Sequence, residues 1–284
     1  MPEPLPIIRG IKIFSAGMGI RPDTKLALLI YASPGMGKTS IAGSLDRLTQ
    51  KFDGKRTLYI PVEASELGGA ATIRKLNLPM FRPDTFSELD KALGELRNDK
   101  TFGGIVLDSA TEMVNQYIKS EALKYPPKEN FATRGAGVPT RSDYQVIGEL
   151  TSQIFRKLML MTTHEKPEYR KHLIITATTK EIEDDSGRVA WRGPALPGRM
   201  AAEAAAMFQI CATIKVKTEI LEKKRIVSRY LCTSTDGLEA VKDRFEVFPP
   251  EVKICRTYTN GGDGEDLCSL WEKYWIPQLE PRPI

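Results

Sequence analysis

The chain has 284 residues, 41% of them apolar and 27% charged, enough to bury a full core and ordinary for a globular protein. No stretch approaches the roughly 18 to 20 apolar residues of a membrane span, and the start, Met1-Pro-Glu-Pro-Leu-Pro, lacks a charged-then-apolar leader pattern. Four well-separated cysteines without CxxC spacing, and two histidines, exclude a zinc pattern and favour a reducing, cytoplasmic setting, while a net charge of +5 permits a polyanionic partner without requiring one.

Lys25 to Tyr31 (KLALLIY) is a short apolar run ending near glycines, as a buried parallel strand does. From Lys38 the pattern turns helical through Ile41, Leu45 and Leu48. Arg56 to Val62 (RTLYIPV) reads as a second strand, and Thr85-Phe-Ser-Glu88 as a capping box opening a helix with Phe86, Leu89, Leu93 and Leu96 on one face. Gly104 to Asp108 (GIVLD) predicts a third strand, followed by a helix around Met113 to Leu123 and a polar stretch from Tyr125 to Arg141. Ser142 is the expected cap of a helix whose apolar face is Ile147, Leu150, Ile154, Leu158 and Met161. His172 to Thr178 (HLIITAT) is a fourth strand, and Met207 to Val216 with Ile226 to Thr233 predict a late β-hairpin around the basic turn Glu222-Lys-Lys-Arg225. Asp263 to Trp275 reads as an amphipathic helix with Leu267, Leu270, Trp271 and Tyr274 as its apolar residues. Strands alternating with helices predict an α/β fold: a mostly parallel central sheet flanked by helices, with a late hairpin.

Between the first strand and the first helix lies Ala32-Ser33-Pro34-Gly35-Met36-Gly37-Lys38-Thr39. A phosphate-binding loop needs backbone N–H groups converging on an anion, so glycines must allow close approach and positive φ. Gly35 and Gly37 meet that need, and the helix that follows directs its positive end at the phosphates. Ser33 to Ser40 are therefore the candidate residues for ATP: Lys38 supplies a mobile charge for the β- and γ-phosphates and Thr39 a hydroxyl for Mg2+. Ala32 stands where the strict pattern has its first glycine.

Asp108 closes an apolar strand, which places its carboxylate at the carboxyl edge of the sheet and makes it the second magnesium residue. The competing reading makes Asp108-Ser109 a helix cap. Glu63, directly after the second strand, is the candidate general base that polarises the attacking water, with Glu66 as the competitor.

Together these pieces resemble the RecA/RadA core ATPases, and more closely the short phage-type ATP-binding proteins of single-strand annealing and recombination. The resemblance spans about residues 25 to 248. It is carried by the phosphate loop, the strand ending in Glu63, Ile105-Val-Leu-Asp108-Ser109, the strand ending Thr176-Ala-Thr-Thr179, Pro197-Gly-Arg199, and Lys242-Asp-Arg-Phe245. In the last motif the family's following glycine is Glu246 here. The resemblance implies a RecA-like core over 21–248, with an N-terminal segment 1–20 and a C-terminal extension 249–284 packing on it. It also implies a γ-phosphate sensor among Thr178, Thr179 and Lys180, with Thr179 the candidate. Arg199, Lys242 and Arg244 are then the basic residues that would complete a neighbouring subunit's site in a homo-oligomer, ring or filament; a charged surface turn is the plain alternative for the Lys242 motif.

RecA-like proteins bind single-stranded DNA through two mobile loops. Here these correspond to 125–141, with Lys128, Phe131, Arg134 and Arg141, and to 181–196, with Arg188, Trp191 and Arg192. Cations for the backbone and aromatic faces for base stacking are the combination such binding needs. The expected function is an ATP-hydrolysing recombination protein acting on single-stranded DNA, with a single-strand-binding protein as a possible accessory partner. The alternatives are a ring helicase or translocase, a nucleotide-dependent assembly switch without DNA, and a small-molecule kinase, which the lack of an arginine-rich lid disfavours. His164 and His172 lack ligand-spaced partners and read as structural.

Overall fold

The computed structural model describes residues 20, 23–62, 69–125, 139–221, 224–234, 237–254 and 264–279. In chain order, β1 (Ala27–Tyr31) leads through the glycine loop into α1 (Lys38–Gly43) and α2 (Leu45–Asp53), followed by β2 (Arg56–Pro61). The short α3 (Ala70–Ile73) and α4 (Phe86–Leu96) precede β3 (Phe102–Asp108). Next come α5 (Ala110–Glu112), a π-wound turn at Met113–Ile118 and α6 (Lys119–Ala122), then α7 (Arg141–Thr162) and β4 (His172–Ala177). A ribbon of β5 (Thr179–Glu183) and β6 (Val189–Pro194) leads to α8 (Met200–Met207). The chain continues with β7 (Ile210–Leu221), β8 (Lys224–Cys232), β9 (Lys242–Asp243) and β10 (Glu251–Ile254), and ends helically with α9 (Leu267–Leu270), a π-wound turn and α10 (Ile276–Leu279).

The main sheet runs β10-β8-β7-β1-β4-β3-β2, with β9 on β7. The strands from β2 through β3, β4 and β1 to β7 pair in parallel, and β8, β9 and β10 add antiparallel pairs at the far end. This is the mostly parallel α/β arrangement with late antiparallel strands expected from the sequence. The central strands β1, β3 and β4 are buried on both faces and are largely apolar rather than alternating with polar residues, whereas the outer halves of β7 and β8 are exposed and more polar. Along β1, Ala27, Leu29 and Tyr31 enter one core with α4, α7 and α8, while Leu28 and Ile30 enter the other with α1, α2 and the C-terminal helix. In that second core Trp271 and Trp275 stack at 4.6 Å, and Trp271 meets His172 edge-on. His172 accepts the Leu26 N–H through Nδ1 and lies beside Asp53, with burial holding its pKa below the ordinary value. It is a core residue, as expected.

Local chemistry explains where the elements start. Thr85 accepts the Glu88 N–H as the N-cap of α4, while the Glu88 carboxylate reaches back to the Asp84 N–H, one residue earlier than a strict capping box. The cap of α7 is Thr140 rather than Ser142: the Asp143 carboxylate takes the Thr140 N–H at 2.7 Å, and the helix opens at Arg141, sooner than the sequence suggested. The late hairpin is longer than the sequence suggested, because β7 and β8 pair from Thr213↔Cys232 out to Leu221↔Lys224.

After β9 the Asp243 carboxylate gathers the N–H groups of Phe245, Val247 and Phe248 at 3.0, 2.9 and 2.8 Å. That turn leaves Glu246 at φ 52°, in the left-handed region that glycine occupies without steric cost. It is the position where the resembling motif has glycine. Glu246→Gly is therefore expected to stabilise the fold by about 0.5–1 kcal/mol, read as a small rise in the urea midpoint.

Candidate active site

The carboxyl edge of the sheet assembles the site. The register Tyr31↔Ala177 brings the ends of β1 and β4 level, and Ala32 donates its N–H to the Ala177 carbonyl at 3.2 Å as the loop leaves. Gly35 and Gly37 take φ values of 76° and 102°, the positive conformations predicted for a loop whose amides must converge. Ser33, Pro34 and Gly35 are exposed, so the loop opens to solvent. Ser40 is buried, and the Gly37 carbonyl accepts the Ile41 N–H to begin α1. Lys38 folds back over the loop, its Nζ 2.7 Å from the Ala32 carbonyl and 3.1 Å from the Ser33 carbonyl.

Asp108 ends β3 with only 3% of its surface exposed. Its Oδ2 accepts the Thr39 hydroxyl at 2.7 Å and the Tyr59 hydroxyl at 2.6 Å, and its Oδ1 accepts the Thr176 hydroxyl. A buried carboxylate needs hydrogen bonds in place of its lost hydration, and three hydroxyls from three elements fix its orientation. The helix-cap alternative applies to the next residue: Ser109 Oγ accepts the Glu112 N–H and caps α5, while Asp108 turns to Thr39. The hydroxyl of Thr39 and the carboxylate of Asp108 form a hard oxygen pair suited to Mg2+, which favours a few protein oxygens together with phosphate and water.

Beyond β4, Thr178 donates both its N–H and its hydroxyl to Thr111 Oγ1, at 3.0 and 3.1 Å, and Thr179 begins β5 opposite Pro194. The Val62 N–H donates to the Asp108 carbonyl at 2.6 Å, which ties the exit of β2 to that of β3. Glu63, the next residue in sequence, lies outside the described residues, as do Glu66, Lys128, Phe131 and Arg134.

The remaining candidates are placed apart from the loop chemistry. Lys242 Nζ donates to the Ala206 carbonyl at 2.8 Å, and Arg244 donates to the same carbonyl near the carboxyl end of α8. Burial, with Arg244 nearby, lowers the Lys242 pKa to about 8. Arg199 pairs with Glu203 at 2.9 Å, yet its side chain is 90% exposed. The second expected loop is an ordered ribbon rather than an irregular segment. Within it the Trp191 ring lies across Gly193 and packs on the first core, and Arg192 pairs with Glu181 at 2.7 Å. Trp191 is thus spent on packing instead of forming an open stacking face. Arg188 and Arg141 are exposed.

Tyr59 and Thr176 were not singled out for roles by the sequence. The available signal was a hydroxyl set in each of two largely apolar strands, since a buried polar group implies a partner.

This loop, lysine, hydroxyl and acid on a mostly parallel sheet define a P-loop ATPase. A family model described as an AAA domain (AAA_24) matches residues 24–245, and the chain belongs to that family. No curated protein matches the chain in sequence. Among solved structures, a KaiC-like protein from the hyperthermophilic archaeon Pyrococcus horikoshii is similar at 10% identity, covering 76% of this chain and 87% of its own, with a TM-score of 0.41. No helix among the described residues is long and apolar enough to cross a membrane.

Tyr59→Phe removes one of the three hydroxyls on Asp108 and leaves the other two. It is expected to lower stability by about 1 kcal/mol and to raise the Mg2+ concentration needed for half-maximal ATP hydrolysis. An unchanged magnesium titration would show that Tyr59 serves the core alone.

Proposed function

We propose that this P-loop ATPase is a DNA-recombination protein that binds single-stranded DNA as a homo-oligomer and promotes annealing or strand pairing. The hydrolytic half rests on one observation, the 2.7 Å contact between Thr39 and Asp108 at the mouth of the phosphate loop. The loop amides from Ser33 to Ser40 and the Lys38 ammonium hold the triphosphate, and Lys38 exchanges its two carbonyl partners for phosphate oxygens. Mg2+, held by Thr39 and through water by Asp108, would neutralise charge on the β- and γ-phosphates. Glu63, next in sequence after the anchored Val62, accepts the proton of the attacking water. Thr178, just past the end of β4 beside the loop, or Thr179, at the start of β5, senses the γ-phosphate.

The DNA half is supported by the family resemblance and by the course of the chain. The β5–β6 ribbon begins directly after the sensor strand, so a change at Thr178 or Thr179 reaches the ribbon without an intervening element. Exposed Arg188 on the ribbon and Arg141 at the start of α7 supply phosphate contacts, with Lys128, Phe131 and Arg134 contributing from the segment before α7. Arg192 and Trp191 stiffen the ribbon instead. Arg199, Lys242 and Arg244 are the residues for a neighbouring subunit's nucleotide, and the latter two must release the Ala206 carbonyl to act there.

The test is ATP hydrolysis with and without single-stranded DNA. Wild-type turnover is expected to rise with DNA, Lys38→Ala to lose nucleotide binding, and Glu63→Gln to bind nucleotide while turnover falls by about 100-fold or more. Turnover indifferent to DNA points to the assembly switch, and directional unwinding to a motor. In DNA-binding titrations, Arg141→Ala and Arg188→Ala should each reduce the salt slope by about 1; a slope equal to wild type in both removes these two arginines from the interface.

A further inference from the structure

A second cation reaches the phosphate loop from the side opposite Asp108. A Cβ added to Gly37 would lie 3.3 Å from Arg229 Cδ and 3.6 Å from Arg229 Nε, so the stem of this arginine packs across the glycine that precedes Lys38. Strand order explains the contact. β7 lies between β1 and β8, and Tyr31 at the end of β1 pairs with Thr213 of β7. Arg229 pairs with Val216, further along β7, and therefore stands past the end of β1 at the level of the loop. Leu231, two residues on and on the same strand face, belongs to the core beneath α1 and α2. Arg229 thus shares the sheet face that carries α1.

A half-buried guanidinium beside converging backbone amides makes a site of concentrated positive potential, and an anion held by the loop is its complement. Position selects the part of the anion. Asp108 and Thr39, the residues that would hold Mg2+, lie toward β3, where the metal would supply positive charge for the terminal phosphates. Arg229 comes from β8, on the other side of β1 and away from the metal residues, where it would meet the phosphates nearer the nucleoside. We infer that Arg229 is an in-subunit contact for the α- and β-phosphates of bound nucleotide, holding ADP as firmly as ATP. This rests on the phosphate-loop reading and adds a residue that no sequence motif marks. Because the contact persists after the γ-phosphate leaves, Arg229 acts on nucleotide retention rather than on the chemical step.

Arg229→Met keeps an unbranched stem against Gly37 and removes the charge. Dissociation constants for a fluorescent ADP and a fluorescent non-hydrolysable ATP analogue would be measured on wild type, R229M, R229K and K38A, with nucleotide-free melting curves for each. R229M is expected to weaken both nucleotides by a similar factor, about 10- to 100-fold, with partial recovery in R229K and no change in melting. Wild-type affinity in R229M alongside loss in K38A overturns the inference. Loss confined to the ATP analogue overturns the assignment to the α- and β-phosphates. Full affinity in K38A as well sinks the phosphate-loop reading itself. Should R229M fail to fold, R229Q carries the same test.

Discussion

The carboxylate of Asp108 is the point on which the site turns. Taking a carboxylate out of water costs several kcal/mol unless hydrogen bonds replace its hydration. Here the replacement comes from Tyr59 on β2, Thr176 on β4 and Thr39 on α1. Each donor sits on a different element, so the arrangement exists only when β2, β3 and β4 are in register and α1 is docked. The same three bonds that make the burial tolerable also aim one oxygen at Thr39. Burial of the carboxylate and its orientation toward Thr39 are thereby met by one set of contacts, at the edge of the sheet where the loop opens.

That register depends on a sheet buried on both sides. The alternating residues of β1 feed two separate cores, one under α4, α7 and α8 and the other under α1, α2 and the terminal helix. A slip of one residue in β1 would exchange its two sets of side chains and detach the loop from Asp108. The C-terminal helix shares in this constraint: Trp271 and Trp275 close the second core, and Asp266 joins it to α2 through Arg47. Phosphate-site geometry is thus supported from residues more than 200 positions along the chain.

The cations divide by whether they already have a structural use. Lys242 and Arg244 satisfy a carbonyl near the carboxyl end of α8, and Arg192 pairs across its own ribbon. Arg188 and Arg141 are exposed, and Arg229 leans on the phosphate loop. A sequence reader sees six basic residues of equal standing. Only the fold separates those that pair within the protein from those left at its surface or beside the phosphate loop.

The phosphate loop, the strand end bearing Asp108, and the mostly parallel sheet were legible in the sequence because each depends on local pattern. Glycine spacing, apolar runs and one acid at a strand terminus are short-range signals, and the backbone responds to them locally. The placements of Tyr59, Thr176 and Arg229, and the packing of Trp191, were decided by tertiary structure. Each depends on which strands lie side by side and on what meets a side chain across tens or hundreds of intervening residues. Strand neighbours are set by the burial of both faces together, a property that no single stretch of the chain carries.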